Sequence, residues 1–146
     1  MMSKHWRYLL DTNVLSESRR PNADERVRAF FEQVNVQRLY VSALSFGELV
    51  KGAEQLRRKD PERSEELLIW IDDTAASFGE RVLPVDGDIA RIWGEIASDR
   101  SRPVIDTYLA ATAIAYGLVL VTRNLVDFHG LKLTTFNPWV RSLDEI

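Results

Sequence analysis

Short apolar runs alternate along this chain with longer stretches in which apolar residues return every third or fourth position. The short runs are Tyr8–Leu10, Leu39–Val41, Val82–Val85, Leu118–Thr122 and Lys132–Thr135, each of strand length and bounded by polar residues. The longer stretches predict helices. Asp24 to Val34 carries Val27, Phe30, Phe31 and Val34, and Ser42 to Leu56 carries Phe46, Leu49, Val50 and Ala53. Residues 61–77 open on Pro61 and carry Leu67, Leu68, Ile71 and Ala75; Asp86 to Ser98 carries Ile89, Ile92, Trp93 and Ile96. Val104 to Tyr116 is almost wholly apolar or small and stops at Gly117, a residue suited to a helix C-terminal cap. Short strands separated by helices of ten residues or more predict an α/β fold, a central parallel sheet of four to five strands between two helical layers. Residues 1–146 are of the size of one domain.

Such sheets bind ligands beyond the carboxyl ends of their strands. Asp11, Thr12 and Asn13 follow the first run directly, and Thr122, Arg123 and Asn124 close the fourth. If those strands are neighbours, both polar groups stand at one edge. Each acidic residue of interest also has an ordinary explanation. Asp-x-Asn after a strand makes an Asx-turn or a helix cap. Glu48 completes Ser45-x-x-Glu48, which matches a capping box, although Ser42, directly after the strand, is the better cap. Capping by Ser42 puts Glu48 on a stripe with Leu44 and Gly52, where the glycine predicts a close backbone approach and partial burial of the carboxylate. Asp106 in the first turn after Pro103 suits the helix dipole, yet the helix behind it is too apolar for a surface position, so Asp106 is expected to face a cleft. Asp127 belongs to the polar loop after the fourth strand. Together, carboxylates at 11, 48, 106 and 127 fall where a single sheet edge can gather them. Gathered carboxylates raise one another's pKa unless a cation neutralises them.

Composition narrows the chemistry. The chain has no Cys and only His5 and His129, which excludes disulfides, thiolate zinc and Cys nucleophiles and leaves no material for a His-based triad. Oxygen ligands alone select Mg2+ or Mn2+. The net charge of −3 argues against holding nucleic acid by bulk electrostatics, and a bound cation would supply the local positive charge. Basic residues are 15 Arg to 4 Lys, gathered at Arg19-Arg20, Arg57-Arg58-Lys59 and Arg100/Arg102. These are weak candidates for anion contacts beside their ordinary place on solvated helix ends. No apolar run reaches the roughly 20 residues of a membrane span and no leader pattern precedes the first strand, so no membrane association and a cytoplasmic protein are expected.

"LLDTNVLSE", "SALSFGELVKG", "DTYLAATA", "TRNLVDF" and the closing "FNPW" (136–139) resemble, in order and spacing, the successive motifs of PIN-domain toxins, the VapC-type ribonucleases of bacterial toxin–antitoxin pairs. The resemblance runs from about residue 7 to Trp139. It implies the PIN fold and Mg2+- or Mn2+-dependent endoribonuclease activity, often on a structured RNA such as tRNA. Asp11, Glu48 and Asp106 match the family's three acidic positions; Asp11 and Asp106 would be direct metal ligands, and Glu48 would hold the metal or its water. Thr12 and Thr122 match positions that support the site, with Asn13 setting the turn behind Asp11. Where the family often has a fourth carboxylate this chain has Asn124, so either Asn124 or Asp127 completes the site. The resemblance further implies a homodimer and a cognate antitoxin, with DNA contacted only through the antitoxin.

Three other readings stand beside this one. An aspartyl-phosphate phosphatase also places its nucleophile after the first strand, but it requires a second Asp two residues on, where this chain has Asn13. A PIN-like binding module with weakened catalysis would account for Asn124. The same nuclease chemistry on DNA is compatible with the same residues.

Overall fold

A computed structural model of the chain describes residues 5–145. Five parallel strands form its centre: β1 (Tyr8–Leu10), β2 (Leu39–Ser42), β3 (Val82–Leu83), β4 (Val119–Val121) and β5 (Thr135–Phe136), in the order β3-β2-β1-β4-β5. The first and fourth strands are neighbours, with Leu10 opposite both Val41 and Val121. This adjacency sets the residues after Leu10 beside those after Val121.

Helices fill the crossovers: α1 (Thr12–Arg19), α2 (Glu25–Gln33), α3 (Ala43–Gln55), α4 (Pro61–Phe78), α5 (Gly87–Ala97) and α6 (Val104–Tyr116). Their ends follow ordinary capping chemistry. Ser42 caps α3 by accepting from the Leu44 N–H at 3.1 Å, Pro61 occupies the first turn of α4, and Gly117 ends α6 at φ 65° and ψ 41°. The sheet is buried on both faces, as a parallel sheet must be. Tyr8, Leu10, Val41, Val121 and Phe136 meet Phe30 and Ile71 on one face; Leu9, Leu83 and Leu120 meet Leu109, Ala110 and Ala113 of α6 on the other. No helix among the described residues is long and apolar enough to cross a membrane.

Four local expectations are corrected. The helix α1 begins immediately after Asp11, where the sequence reads as a turn. The third strand stops at Leu83 rather than Val85 because Pro84 has no N–H to continue the ladder. The fifth strand is Thr135–Phe136 rather than 132–135; the fully buried Phe136 ring sets its place against β4. Val50, assigned to the apolar stripe of α3, is 37% exposed.

The arginine clusters are mostly spent on the protein itself. Arg57 forms a two-pronged pair with Glu54 at 2.9 and 2.8 Å, and Arg20 pairs with Glu17 at 3.5 Å. The Arg102 side chain is buried beside Asp99, and Arg100 donates to the His129 carbonyl.

Candidate active site

Strand β1 delivers Asp11 to the carboxyl edge of the sheet, and the Asp11 N–H continues the strand pairing by donating to the Val121 carbonyl at 2.9 Å. The side chain, only 4% exposed, caps α1: its Oδ1 accepts from the Thr12 N–H at 2.6 Å. Its Oδ2 accepts from the Thr122 hydroxyl at 2.7 Å and, more weakly, from the Asn13 Nδ2 at 3.4 Å. The Asn124 N–H donates to the Thr122 Oγ1 at 3.1 Å, which fixes that hydroxyl in turn. Burial pushes the Asp11 carboxyl above its ordinary pKa, opposed by the bonds from Thr122 and Thr12 and reinforced by the charges of Glu48 and Asp127. Capping and site membership are therefore two uses of one carboxylate.

Three further carboxylates face Asp11. Asp106, on the first turn of α6, is half-buried and pushed up to about 7, first by desolvation, then by the negative charges of Asp11 and Asp127, and by a carboxyl–carboxyl hydrogen bond with Asp127. Asp127 comes from a single 3-10 turn, Leu125–Phe128, anchored by the buried Phe128 ring. Glu48 reaches in from α3, its Oε1 accepting from the Thr12 hydroxyl at 2.7 Å, and its charge acts on both Asp11 and Asp106. Four carboxylates thus stand together with no Lys or Arg paired to any of them among the described residues. The Asn124 side chain is exposed and makes no capping bond, so of the two residues open to complete the cluster, Asp127 is the one coupled to Asp11 and Asp106.

Glu48 departs from expectation. It is exposed, and a Cβ added at Gly52 would meet nothing within 4 Å, so no close approach occurs there. The reason is that two open grooves meet on this stripe instead of a packed neighbour. One, of about 540 Å3, runs between α3 and Ile105 at the head of α6; the other, of about 320 Å3, leads from Thr12 and Glu48 towards Arg19 and Trp70. Cavity size alone does not mark the site: a space of about 490 Å3 at the opposite edge of the sheet, near Trp6, Arg7 and Lys132, is lined by no carboxylate.

The donor set suits a hard divalent cation: oxygen ligands only, uncompensated negative charge, and the Asn13 Oδ1 buried beside Asp11 without a hydrogen-bond partner. No three of the described carboxylates close around one point as a ready coordination set. Asp11 is held by its own hydrogen bonds, Glu48 is exposed, and Asp106 is hydrogen-bonded to Asp127. Asn13, standing where an aspartyl-phosphate enzyme needs a second Asp, serves Asp11 as a donor.

Replacement of Thr122 by Val removes the strongest side-chain partner of a buried carboxylate. Unfolding should become easier by about 1–3 kcal/mol, with a larger loss at pH 8 than at pH 5, because the lost bond favours the ionised form. Thr122→Ser should restore most of it. Chemical denaturation at the two pH values measures both effects.

The sequence pointed to no role for the C-terminal "FNPW" residues beyond resemblance. In the structure Asn137 is buried, its Nδ2 donates to the Arg123 carbonyl at 3.3 Å, and the Arg123 guanidinium lies over the Trp139 ring at 5.0 Å. Only the conjunction of Asn, Pro and Trp after the last strand hinted at this.

Comparison with known proteins agrees with this geometry. The PIN domain profile matches residues 8–129. Toxin FitB of Neisseria gonorrhoeae is 34% identical over 141 residues, covering 90% of this chain and 97% of that protein. VapC ribonuclease Y4jK of Sinorhizobium fredii is 33% identical, covering 90% of this chain and 96% of its own length. The crystal structure of FitAcB from Neisseria gonorrhoeae superposes with a TM-score of 0.83 at 32% identity, over 92% of this chain and 99% of that one.

Proposed function

Because this chain belongs to the PIN-domain family, we propose that it is a metal-dependent endoribonuclease and the toxin of a toxin–antitoxin pair, with residues 1–146 acting as one domain. PIN-domain nucleases are generally divalent-metal dependent, and Mg2+, with Mn2+ as substitute, is the cation this oxygen-only cluster suits. The observation that carries the reading is the carboxyl cluster itself: Asp11, Glu48, Asp106 and Asp127 come from four separate elements, and burial, followed by the charges of the other three, pushes Asp106 up to about 7. A protein keeps such repulsion where a cation is to be held.

In this reading Asp11 and Asp106 hold the cation and Glu48 holds it or its water. The cation, when bound, supplies charge neutralisation and water activation at a phosphodiester. Thr122 and the Thr12 N–H keep the Asp11 oxygens oriented, and Asn13 supports the same carboxylate. Glu48 or Asp127 accepts the proton of the attacking water. The water oxygen bonds to phosphorus, the bond from phosphorus to the 3′ oxygen breaks, and that oxygen leaves taking a proton from solvent water to become a hydroxyl. The products carry 5′-phosphate and 3′-hydroxyl ends. No usable His stands in the cluster to favour attack by the 2′-hydroxyl.

The partners in this reading are an RNA substrate, tRNA among the candidates, a cognate antitoxin, and a second copy of the chain. DNA is met through the antitoxin. The test is incubation of antitoxin-free protein with total cellular RNA in Mn2+, with and without chelator, and mapping of the cut ends. Cleavage at few sites, abolished by chelator and leaving 5′-phosphates, is the expected result. Recovery of 2′,3′-cyclic phosphates would overturn the mechanism, and cleavage of DNA alone would overturn the substrate. Absence of any cleavage would favour a binding module, to which Asn124 in place of a carboxylate lends its one specific observation.

A further inference from the structure

Arg123 sits one residue beyond Thr122, whose hydroxyl holds Asp11, and one before Asn124. It is exposed, and its guanidinium makes no hydrogen bond or ion pair among the described residues. This is unexpected next to four carboxylates. A guanidinium on a flexible stem at the rim of such a cluster should fold over and neutralise it. It does not, because other residues hold it elsewhere. Thr122 turns its hydroxyl to Asp11, while the Arg123 side chain goes to Trp139, which packs against the core cluster of Tyr8, Leu10 and Phe136. There the guanidinium rests over the indole at 5.0 Å. Asn137 fastens the arrangement from below. Its Nδ2 donates to the Arg123 carbonyl at 3.3 Å, while its Oδ1 accepts from the Trp139 N–H at 2.9 Å. One buried amide thus ties together the residue that carries the cation and the residue that carries the ring.

Other arginines that leave solvent are used by the fold, as Arg81 is by the Val36 and Leu39 carbonyls. Arg123 is built into position, yet its fork of donors is unused. We infer that Arg123, held away from the carboxylates by Trp139 and Asn137, is a phosphate-binding residue that grips the RNA strand at a phosphate flanking the one cleaved. This rests on the ribonuclease reading of the neighbouring cluster. Two demands are met at once: the carboxylates remain free for a cation, and a polyanion approaching an acidic rim finds one fixed, bidentate positive group.

The experiment compares wild type, Arg123→Gln, Arg123→Lys and Trp139→Leu on a single-stranded RNA oligonucleotide in Mn2+. Steady-state cleavage is measured, and binding is measured by fluorescence anisotropy over a KCl series. Binding uses the same variants in an Asp106→Asn background, so that no strand is cut. Arg123→Gln should raise KM about tenfold with kcat within about twofold, and should flatten the slope of log affinity against log salt by about 0.7, one phosphate contact on a single strand. Arg123→Lys should keep the salt slope but lose part of the affinity, and Trp139→Leu should shift KM in the same direction as Arg123→Gln. A merely structural role would leave the salt slope unmoved. Wild type that cleaves RNA alongside an Arg123→Gln variant with unchanged KM and slope would overturn this inference and leave the nuclease reading intact. Wild type that neither binds nor cleaves RNA would overturn both. An unchanged RNA slope with weakened antitoxin binding would assign Arg123 to the protein partner and overturn the inference equally.

Discussion

Asp106→Asn should silence the enzyme and stabilise the protein in the same stroke. Cleavage should fall by at least about 10²-fold, the range in which single electrostatic contributors to a transition state fall. Stability without added metal should rise, by an amount that grows as the pH climbs above about 4 and is complete above about 7. The sign follows from linkage. Asp106 titrates near 3.8 in the unfolded chain and at about 7 in the folded one. Between those values the folded state binds more protons than the unfolded state, so stability decreases as pH rises from about 4 through 7. A shift of that size caps the effect at about 4 kcal/mol, and solvent screening of a half-buried group reduces it to about 1–2 kcal/mol. Asp11, raised chiefly by burial, adds to the slope in the same direction. Asn carries no charge and can still hydrogen-bond Asp127, so the variant should lose most of the pH dependence. Chemical denaturation from pH 5 to 8 with both proteins measures it. A variant as pH-sensitive as the parent would remove Asp106 from the centre of the cluster.

The second large effect is the response to the cation. A divalent ion that binds only the folded cluster stabilises by mass action, about 2.7 kcal/mol at a hundredfold excess over Kd, or roughly 5–10 °C in Tm for a domain of this size. Mg2+ or Mn2+ should produce this shift at pH 8, where the carboxyls are ionised, and much less at pH 5, where the Asp106 carboxyl is protonated. Chelator should reverse it. The shift should disappear in Asp106→Asn and in Asp11→Asn, while Asp127→Asn should retain part of it. A parent protein whose Tm ignores both metals at pH 8 would remove the cation from the proposal.

Much of this architecture is legible in the sequence because burial and periodicity coincide there. Tyr8–Leu10 reads as a buried strand and lies buried at the middle of the sheet; the apolar stretch from Val104 reads as a covered helix and packs under three strands. The helix after Asp11 was obscured because Thr12, Asn13, Ser16 and Ser18 are weak helix formers and the local pattern suits a turn equally well. The cap by Asp11 and the tertiary packing of Val14 and Leu15 decide it. Of the candidate site, the gathering of Asp11 and Asp106 at one edge of the sheet is legible from their place at strand and helix ends. Which of Asn124 and Asp127 stands against them is not. It depends on how Phe128 anchors a single turn, a matter of packing that no local pattern records. The exposure of Glu48 escaped for a similar reason, since a stripe on a helix does not say whether its neighbour is a side chain or a groove. The role of Asn137 and Trp139 depends on a contact fourteen or more positions away.

The pairing of β1 with β4 also sets a schedule. Asp11 is made well before residues 121 and 122, which supply the strand that receives its N–H and the hydroxyl that holds its carboxylate. Asp106 and Asp127 follow the same late timetable. A chain emerging from the ribosome therefore carries the first carboxylate long before it can be seated, and contacts this distant in sequence form late. A site assembled in this way is complete only when the finished sheet has closed around both ends of the chain's contacts.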